Sequence, residues 1–202
     1  MSGYQFEQLE ALSVVRMHLK TLPRGEKDKL RLMTADYLEF RRRVDRFLET
    51  YFGSVCDQTC YQSRLSACCS REGIITFFAD VVINQLFSEE AQIDDLAHAL
   101  RNENDTFKCV YLGCDGCRWT VKPIVCQMFL CEPAKARVFR QFPAAESEWA
   151  ELERQRQRFT WPDRPVLFDI IEKYFIGMGC SSGLMYMHQS PGLLRVKEKA
   201  GL

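Results

Sequence analysis

The chain has 202 residues, 47% of them hydrophobic and 27% charged, a composition that excludes disordered, collagen-like and coiled-coil classes. Its 27 Lys and Arg balance 27 Asp and Glu, so there is no net field to hold bulk nucleic acid or an acidic membrane surface. What sets it apart is ten cysteines: none precedes Cys56, nine lie between Cys56 and Cys131, and Cys180 follows alone.

In chain order, Phe6, Leu9, Leu12, Val15 and Leu19 recur at helical steps and predict one amphipathic helix, broken at Pro23 and Gly25. A second helix is expected from an N-cap at Thr34 through Tyr37, Phe40, Val44, Phe47, Leu48 and Tyr51, with Gly53 as the residue that ends it. Arg41, Arg42, Arg43 and Arg46 fall on its other face and read as a solvated surface partly neutralised by Glu39, Asp45 and Glu49. Gly73 to Thr76 reads as an extended entry, with Thr76 capping a helix over Phe77 to Leu86. A further helix should begin at Ser88, carry Ile93, Leu96, Ala97 and Leu100 inward, and end at the Asn102, Asn104, Asp105 cluster.

Between Cys109 and Cys131, breaks at Gly113, Gly116 and Pro123 predict irregular loop with at most short strands. Pro133, near a helix start, returns the chain to helix. Trp149, Leu152, Arg156 and Phe159 then mark one helix face, and Val166, Leu167, Ile170, Ile171, Tyr174 and Phe175 another, separated by Trp161-Pro162 and Arg164-Pro165. Arg154, Arg156 and Arg158 do not share one face and read as surface, while Gly183 to His188 suggests a short strand whose methionines fill core. The expectation is a mainly α fold, helices flanking an irregular cysteine-rich metal-binding centre. It forms one domain over 1–202, with a helical part at 1–53, a cysteine cluster at 54–135 and a helical part at 136–202.

The cysteines read Cys56-x3-Cys60-x7-Cys68-Cys69 and Cys109-x4-Cys114-x2-Cys117-x8-Cys126-x4-Cys131. The stretch Met1 to Glu10 lacks the basic and apolar regions of a secretory signal. Apolar runs such as Val81-Val82-Ile83 fall far short of the roughly 20 residues that span a bilayer. A cytoplasmic setting follows as the expectation, and there clustered thiols point to metal or redox chemistry rather than to a disulfide framework. Thiolates repel one another, so gathering several needs a cation, and zinc or the iron of a cluster suits sulfur. Only Cys114-x2-Cys117 has the knuckle form usual for zinc. No P-loop, Gly-x-Gly-x-x-Gly or Gly-x-Ser-x-Gly is present, and His18, His98 and His188 stand outside the cysteine windows as helix-face or surface residues.

Residues 50 to 135 carry a family resemblance. The Cys68-Cys69 pair followed by Gly73-Ile74-Ile75-Thr76, then Cys109-Val-Tyr-Leu112, Gly116-Cys117 and Lys122-Pro123-Ile-Val-Cys126-Gln-Met-Phe129-Leu-Cys131, resembles the CxxCxxCC family. That family is described as zinc- or iron-chelating, and flagellin lysine-N-methylase is a distant relative. The most specific piece is the run from 122 to 131, where Lys122 stands in for the arginine of an Arg-Pro-x-x-Cys signature. The resemblance implies eight ligands: Cys56, Cys60, Cys68, Cys69, Cys109, Cys117, Cys126 and Cys131. Cys114 and Cys180 are left over, with Cys114 open as a substitute for Cys117.

The functional expectation is a cysteine-cluster metal-binding protein that chelates an iron–sulfur cluster or zinc, a carrier, sensor or interaction module whose partners are metal ions. The alternative is a metal-containing protein-modifying enzyme of the lysine-N-methylase type. Irregular spacing and the methylase relative tip the metal towards iron and sulfur. Arg64, Arg71, Lys108, Arg118 and Lys122 are available to offset thiolate charge. Neighbouring side chains diverge by about 100° in a helix and point oppositely in extended chain. Cys68 and Cys69 should therefore reach two centres or span a cluster, with the eight thiolates divided as four and four across the 56 to 69 and 109 to 131 segments and interleaved.

Overall fold

The computed structural model describes residues 3–62, 68–70, 75–104, 106–160 and 166–185. The fold is mainly α. Helix α1 spans Gly3–Thr21, α2 Arg24–Met33 and α3 Ala35–Phe47, which runs on through a π-helical turn at Leu48–Phe52, α4 at Gly53–Cys56 and a second π-helical turn at Asp57–Tyr61. Helices α5 (Phe78–Phe87) and α6 (Glu90–Arg101) follow, then the two-residue strands β1 (Leu112–Gly113) and β2 (Gly116–Cys117). Four helices complete the order: α7 at Ile124–Gln127, α8 at Glu132–Gln141, α9 at Pro143–Thr160 and α10 at Leu167–Gly177. Helix α1 packs on α5 and α6, α10 packs on α5 and α9, and α3 lies against α9. Ring contacts line the interior, among them Phe47 stacked on Trp149 at 5.3 Å, Tyr37 edge-on to Phe159 at 5.3 Å and Phe78 edge-on to Phe175 at 5.3 Å.

Several expectations need correction. Gly53 does not end the second helix: its φ of −50° and ψ of −55° are helical, and helical turns continue to Tyr61. The cause is the five-residue spacing of Phe47 and Phe52, both buried. On an α-helix these would point about 140° apart, whereas one wide π turn brings both inward. Phe52 then meets Phe139 edge-on at 5.8 Å, which docks α8 beside this turn. Helix α2 follows the expected break and contains Gly25. It buries only Leu30, so no apolar stripe announces it, and the pairs Glu26 with Lys29 (2.8 Å) and Asp28 with Arg31 (3.2 Å) brace its surface.

On α1 the inward face is Gln5, Gln8, Leu12, Val15 and Leu19, while Phe6 is 62% exposed. Gln5 earns its burial by donating from Nε2 to the carbonyls of Leu100 (3.1 Å) and Asn102 (2.7 Å), closing the end of α6. The α5 cap falls at Phe77, whose N–H donates to Asp80 Oδ2 at 3.0 Å, and Thr76 instead meets the Tyr4 hydroxyl at 3.4 Å. Helix α6 starts at Glu90, two residues after the expected Ser88, and buries Ile93, Leu96, Ala97 and Leu100 as expected. In α10 the buried face is Phe168, Ile171, Glu172 and Phe175, and Ile170 is exposed. Gly183 to Met185 form no strand: Met185 N–H donates to Ser182 O at 3.0 Å in a turn, with Leu184 and Met185 buried. The rest of that stretch, His188, Gly73, Ile74 and the separators at 161–165 lie outside the described residues. His98 is exposed, as expected, whereas His18 is half-buried against the Tyr174 and Phe175 rings.

Candidate metal centre

None of the ten cysteines is in a disulfide. The 109–131 stretch that carries five of them is irregular, as its glycines and proline predict, and is built on one hairpin. Leu112 pairs with Cys117 and Gly113 with Gly116, leaving Cys114 and Asp115 at the tip. Gly116 adopts a φ of +106°, a conformation that glycine reaches without a side-chain penalty. Cys114 is thereby exposed at the tip, its Sγ 3.3 Å from Asp115 Oδ2, while Cys117 sits in the strand, partly covered. The hairpin base is fixed by Tyr111 and Trp119, edge-on at 5.3 Å and both buried, and by the Tyr111 hydroxyl donating to Gln8 Oε1 at 3.1 Å.

The Lys122-Pro123-Ile124-Val125-Cys126 run is held from beneath by polar side chains, of which the sequence reading named only Arg41 and Asp45, as surface. Asp80 and Asn84, one helical turn apart on α5, are 2% and 0% exposed. Asp80 Oδ1 accepts the Ile124 N–H at 3.1 Å and Asn84 Oδ1 accepts the Val121 N–H at 2.8 Å. From α3, Arg41 donates to the Lys122 carbonyl at 2.6 Å and to the Tyr37 hydroxyl at 2.7 Å, and Gln127 donates to Asp45. Arg41 is 4% exposed, which corrects its reading as solvated surface. Arg42 and Arg46 do face solvent, shared with Glu39. Burial lifts the Asp80 carboxyl to about 6, against the opposing pull of its backbone donors and of Arg41. The detectable signal was a pair of polar residues four apart inside the apolar run of α5, Phe78-Ala-Asp80-Val-Val-Ile-Asn84.

The thiols divide by neighbourhood. Cys109 N–H donates to the Cys69 carbonyl at 2.9 Å, and Ser70 bridges Lys108 in antiparallel fashion, so the two cysteine segments are joined at this point. Burial lifts the Cys109 thiol to about 12, with the charges of Cys117 and Cys126 adding to the effect. Burial also raises Cys117 and Cys126, and Cys126, 4.0 Å from the Ile75 carbonyl, lies within electrostatic reach of Asp80, Cys117 and Cys68. Cys69 moves the other way: a hydrogen bond from the Cys68 thiol holds it below the ordinary thiol value, although burial and the charges of Cys109, Cys117 and Cys126 oppose this. Cys68 is raised by the same bond, by burial and by the Cys69 charge.

Cys56 and Cys60 stand four residues apart on the helical stretch that ends at Tyr61. Burial raises Cys56, and Cys68, Cys131 and Cys60 are the charges it feels. Cys131 is the N-cap of α8. Cys180 closes α10 through its N–H to the Phe175 carbonyl at 3.0 Å, and burial alone raises its thiol. Among the described residues, no three His, Cys, Asp or Glu side chains converge tightly enough to hold an ion. The thiols are neighbours within electrostatic reach of one another. Of the cations expected to offset their charge, Lys122 acts on Cys117 and Cys68. Arg118 is engaged by Asp95 at 2.6 Å, and Arg64 and Arg71 lie outside the described residues.

No family model, curated protein or solved structure matches the chain. The likeness to the CxxCxxCC family therefore rests on the motif residues themselves. Among the described residues no helix is long and apolar enough to cross a membrane.

Proposed function

We propose that this chain is a cysteine-cluster metal-binding protein of the CxxCxxCC type, chelating an iron–sulfur cluster or zinc through Cys56, Cys60, Cys68, Cys69, Cys109, Cys117, Cys126 and Cys131 in a reducing cytoplasm. The observation that carries the reading is the join of the two cysteine segments, where the Cys109 N–H donates to the carbonyl of Cys69, 40 positions earlier, at 2.9 Å, with Cys117 and Cys126 within electrostatic reach of Cys69. A thiol packs only as a small hydrophobe with a weak donor, so several in one neighbourhood add little stability as thiols and repel as thiolates. A bound cation turns that repulsion into ligation. Iron–sulfur is the first expectation, because the single knuckle that would suit zinc has Cys114 exposed at the hairpin tip.

Metal analysis and a visible spectrum of anaerobically purified protein test the reading. A brown preparation absorbing at about 400 nm and bleached by dithionite supports a thiolate-bound iron cluster. Colourless protein with about two zinc ions per chain and no acid-labile sulfide supports zinc. Protein that carries neither, and takes up neither on reconstitution, overturns it.

A further inference from the structure

A cavity of about 150 Å³ opens between α1, α2, the end of α5 and the start of α6, and no cysteine lines it. Leu19, Leu86 and Ile93, all buried, form its apolar wall. Arg16, Lys20, Lys27 and Arg31 line it against a single carboxylate, Glu90. Two of these cations are already served: Glu90 accepts from Arg16 Nε and from Lys20 Nζ, each at 2.8 Å, and Asp94 lies 2.7 Å from Arg16 Nη2. The other two stand four residues apart on one face of α2. Arg31 gives Nε to the Leu86 carbonyl and Nη1 to Asp28, both at 3.2 Å, which fixes the guanidinium and leaves its Nη2 uncommitted among the described residues. Lys27 has no anionic partner among them, and Ser88 Oγ, on the connection from α5 to α6, is buried with no hydrogen-bond partner there.

We propose that this cavity binds a phosphate group, as inorganic phosphate or as the end of a small phosphomonoester, with Lys27, Arg31 and Ser88 as its donors. A carboxylate offers two oxygens in one plane, the form in which Glu90 serves Arg16 and Lys20. Donors that come from α2 on one side and Ser88 on the other suit a tetrahedral anion instead. A phosphomonoester brings three acceptor oxygens and a charge of about −1.5 to −2, which two uncommitted cationic groups balance. The volume is that of about five waters at ~30 Å³ each, room for one phosphate group and too little for a nucleotide. Glu90 is the like charge that the ligand meets, and it sets the limit on affinity. The site is independent of the cysteine cluster and of the metal-binding reading.

Isothermal titration calorimetry on the full chain, purified without oxygen, tests this with inorganic phosphate, methyl phosphate and chloride at matched ionic strength. Both phosphates should bind once per chain with a Kd of about 1 mM or tighter, and chloride should give no saturable heat. Tighter binding of methyl phosphate assigns the site to phosphomonoesters, and tighter binding of inorganic phosphate assigns it to the free ion. Lys27→Gln and Ser88→Ala should each weaken binding about tenfold or more with far-ultraviolet circular dichroism unchanged, because each removes one donor to a charged group. Glu90→Gln should strengthen it about threefold or more, since it removes the competing charge. The absence of saturable phosphate binding, a heat that chloride reproduces, or an affinity that either Lys27→Gln or Ser88→Ala leaves unchanged overturns the proposal.

Discussion

Arg41→Met probes the clamp beneath the cysteine segment most directly. The guanidinium is 4% exposed, donates to the Lys122 carbonyl and the Tyr37 hydroxyl, and lowers the affinity of the buried Asp80 carboxyl for its proton. Methionine fills much of the volume but leaves a carbonyl unpaired and a buried carboxylate without its counter-charge, a loss of about 3–5 kcal/mol when the carboxylate is ionised. Burial raises Asp80 from 3.8 to about 6. A carboxyl raised in the folded state stabilises fully below about pH 3.8, and that contribution is lost as pH climbs through about 6. Without Arg41 it rises further, so the deficit of the variant grows with pH. Urea unfolding followed by far-ultraviolet circular dichroism should give about 1–3 kcal/mol near pH 5, where only hydrogen bonds are lost, and the full deficit near pH 7.5. In an Asp80→Asn background the pH dependence should disappear. Equal deficits at both pH values, or a loss below about 1 kcal/mol at the higher one, would refute the coupling.

Gly116→Ala forces a side chain onto a φ of +106° at the hairpin turn and should cost about 1 kcal/mol or more, a fall of about 2–4 °C in thermal melts. Gln5→Ala removes two donors from the end of α6 and should destabilise by about 1–3 kcal/mol in the same melts. Cys180→Ser should keep the metal, whereas Cys126→Ser and Cys131→Ser should lose it together with much of the folded middle. Equal loss in all three, measured by elemental analysis, would mean that the ligand set is drawn too small.

Helices with a regular apolar stripe were legible in the sequence. Ile93, Leu96, Ala97 and Leu100 lie where a 3.6-residue period puts them, and so do Tyr37, Phe40, Val44 and Phe47. Elements held by other means escaped. Helix α2 buries one leucine and depends on surface ion pairs, and the run past Gly53 depends on a π turn that a strict helical period does not anticipate. On α1 polar residues took inward positions because a glutamine amide can satisfy carbonyls at a helix end, which Phe6 cannot. The cysteine groups were plain in the sequence, but their neighbours across the fold depend on long-range contacts that spacing does not encode. Nor does spacing reveal Asp80, Asn84 and Arg41, whose role is to satisfy backbone groups around a proline.

That proline explains why the clamp is needed. Pro123 has no N–H and helical hydrogen bonding resumes only with α7, so the buried Ile124 N–H must find a side-chain partner or remain unpaired at about 1–3 kcal/mol, and the partly buried Val121 N–H and Lys122 carbonyl find partners in the same way. Two helices supply them from below, which fixes the segment from its buried side and leaves the opposite side to the thiols. A cysteine placed just after such a segment inherits its rigidity, as Cys126 does. How firmly such a thiol is held is therefore set by where buried polar residues meet the backbone, and three of them, Arg41, Asp80 and Asn84, lie 37 or more residues from the segment they hold.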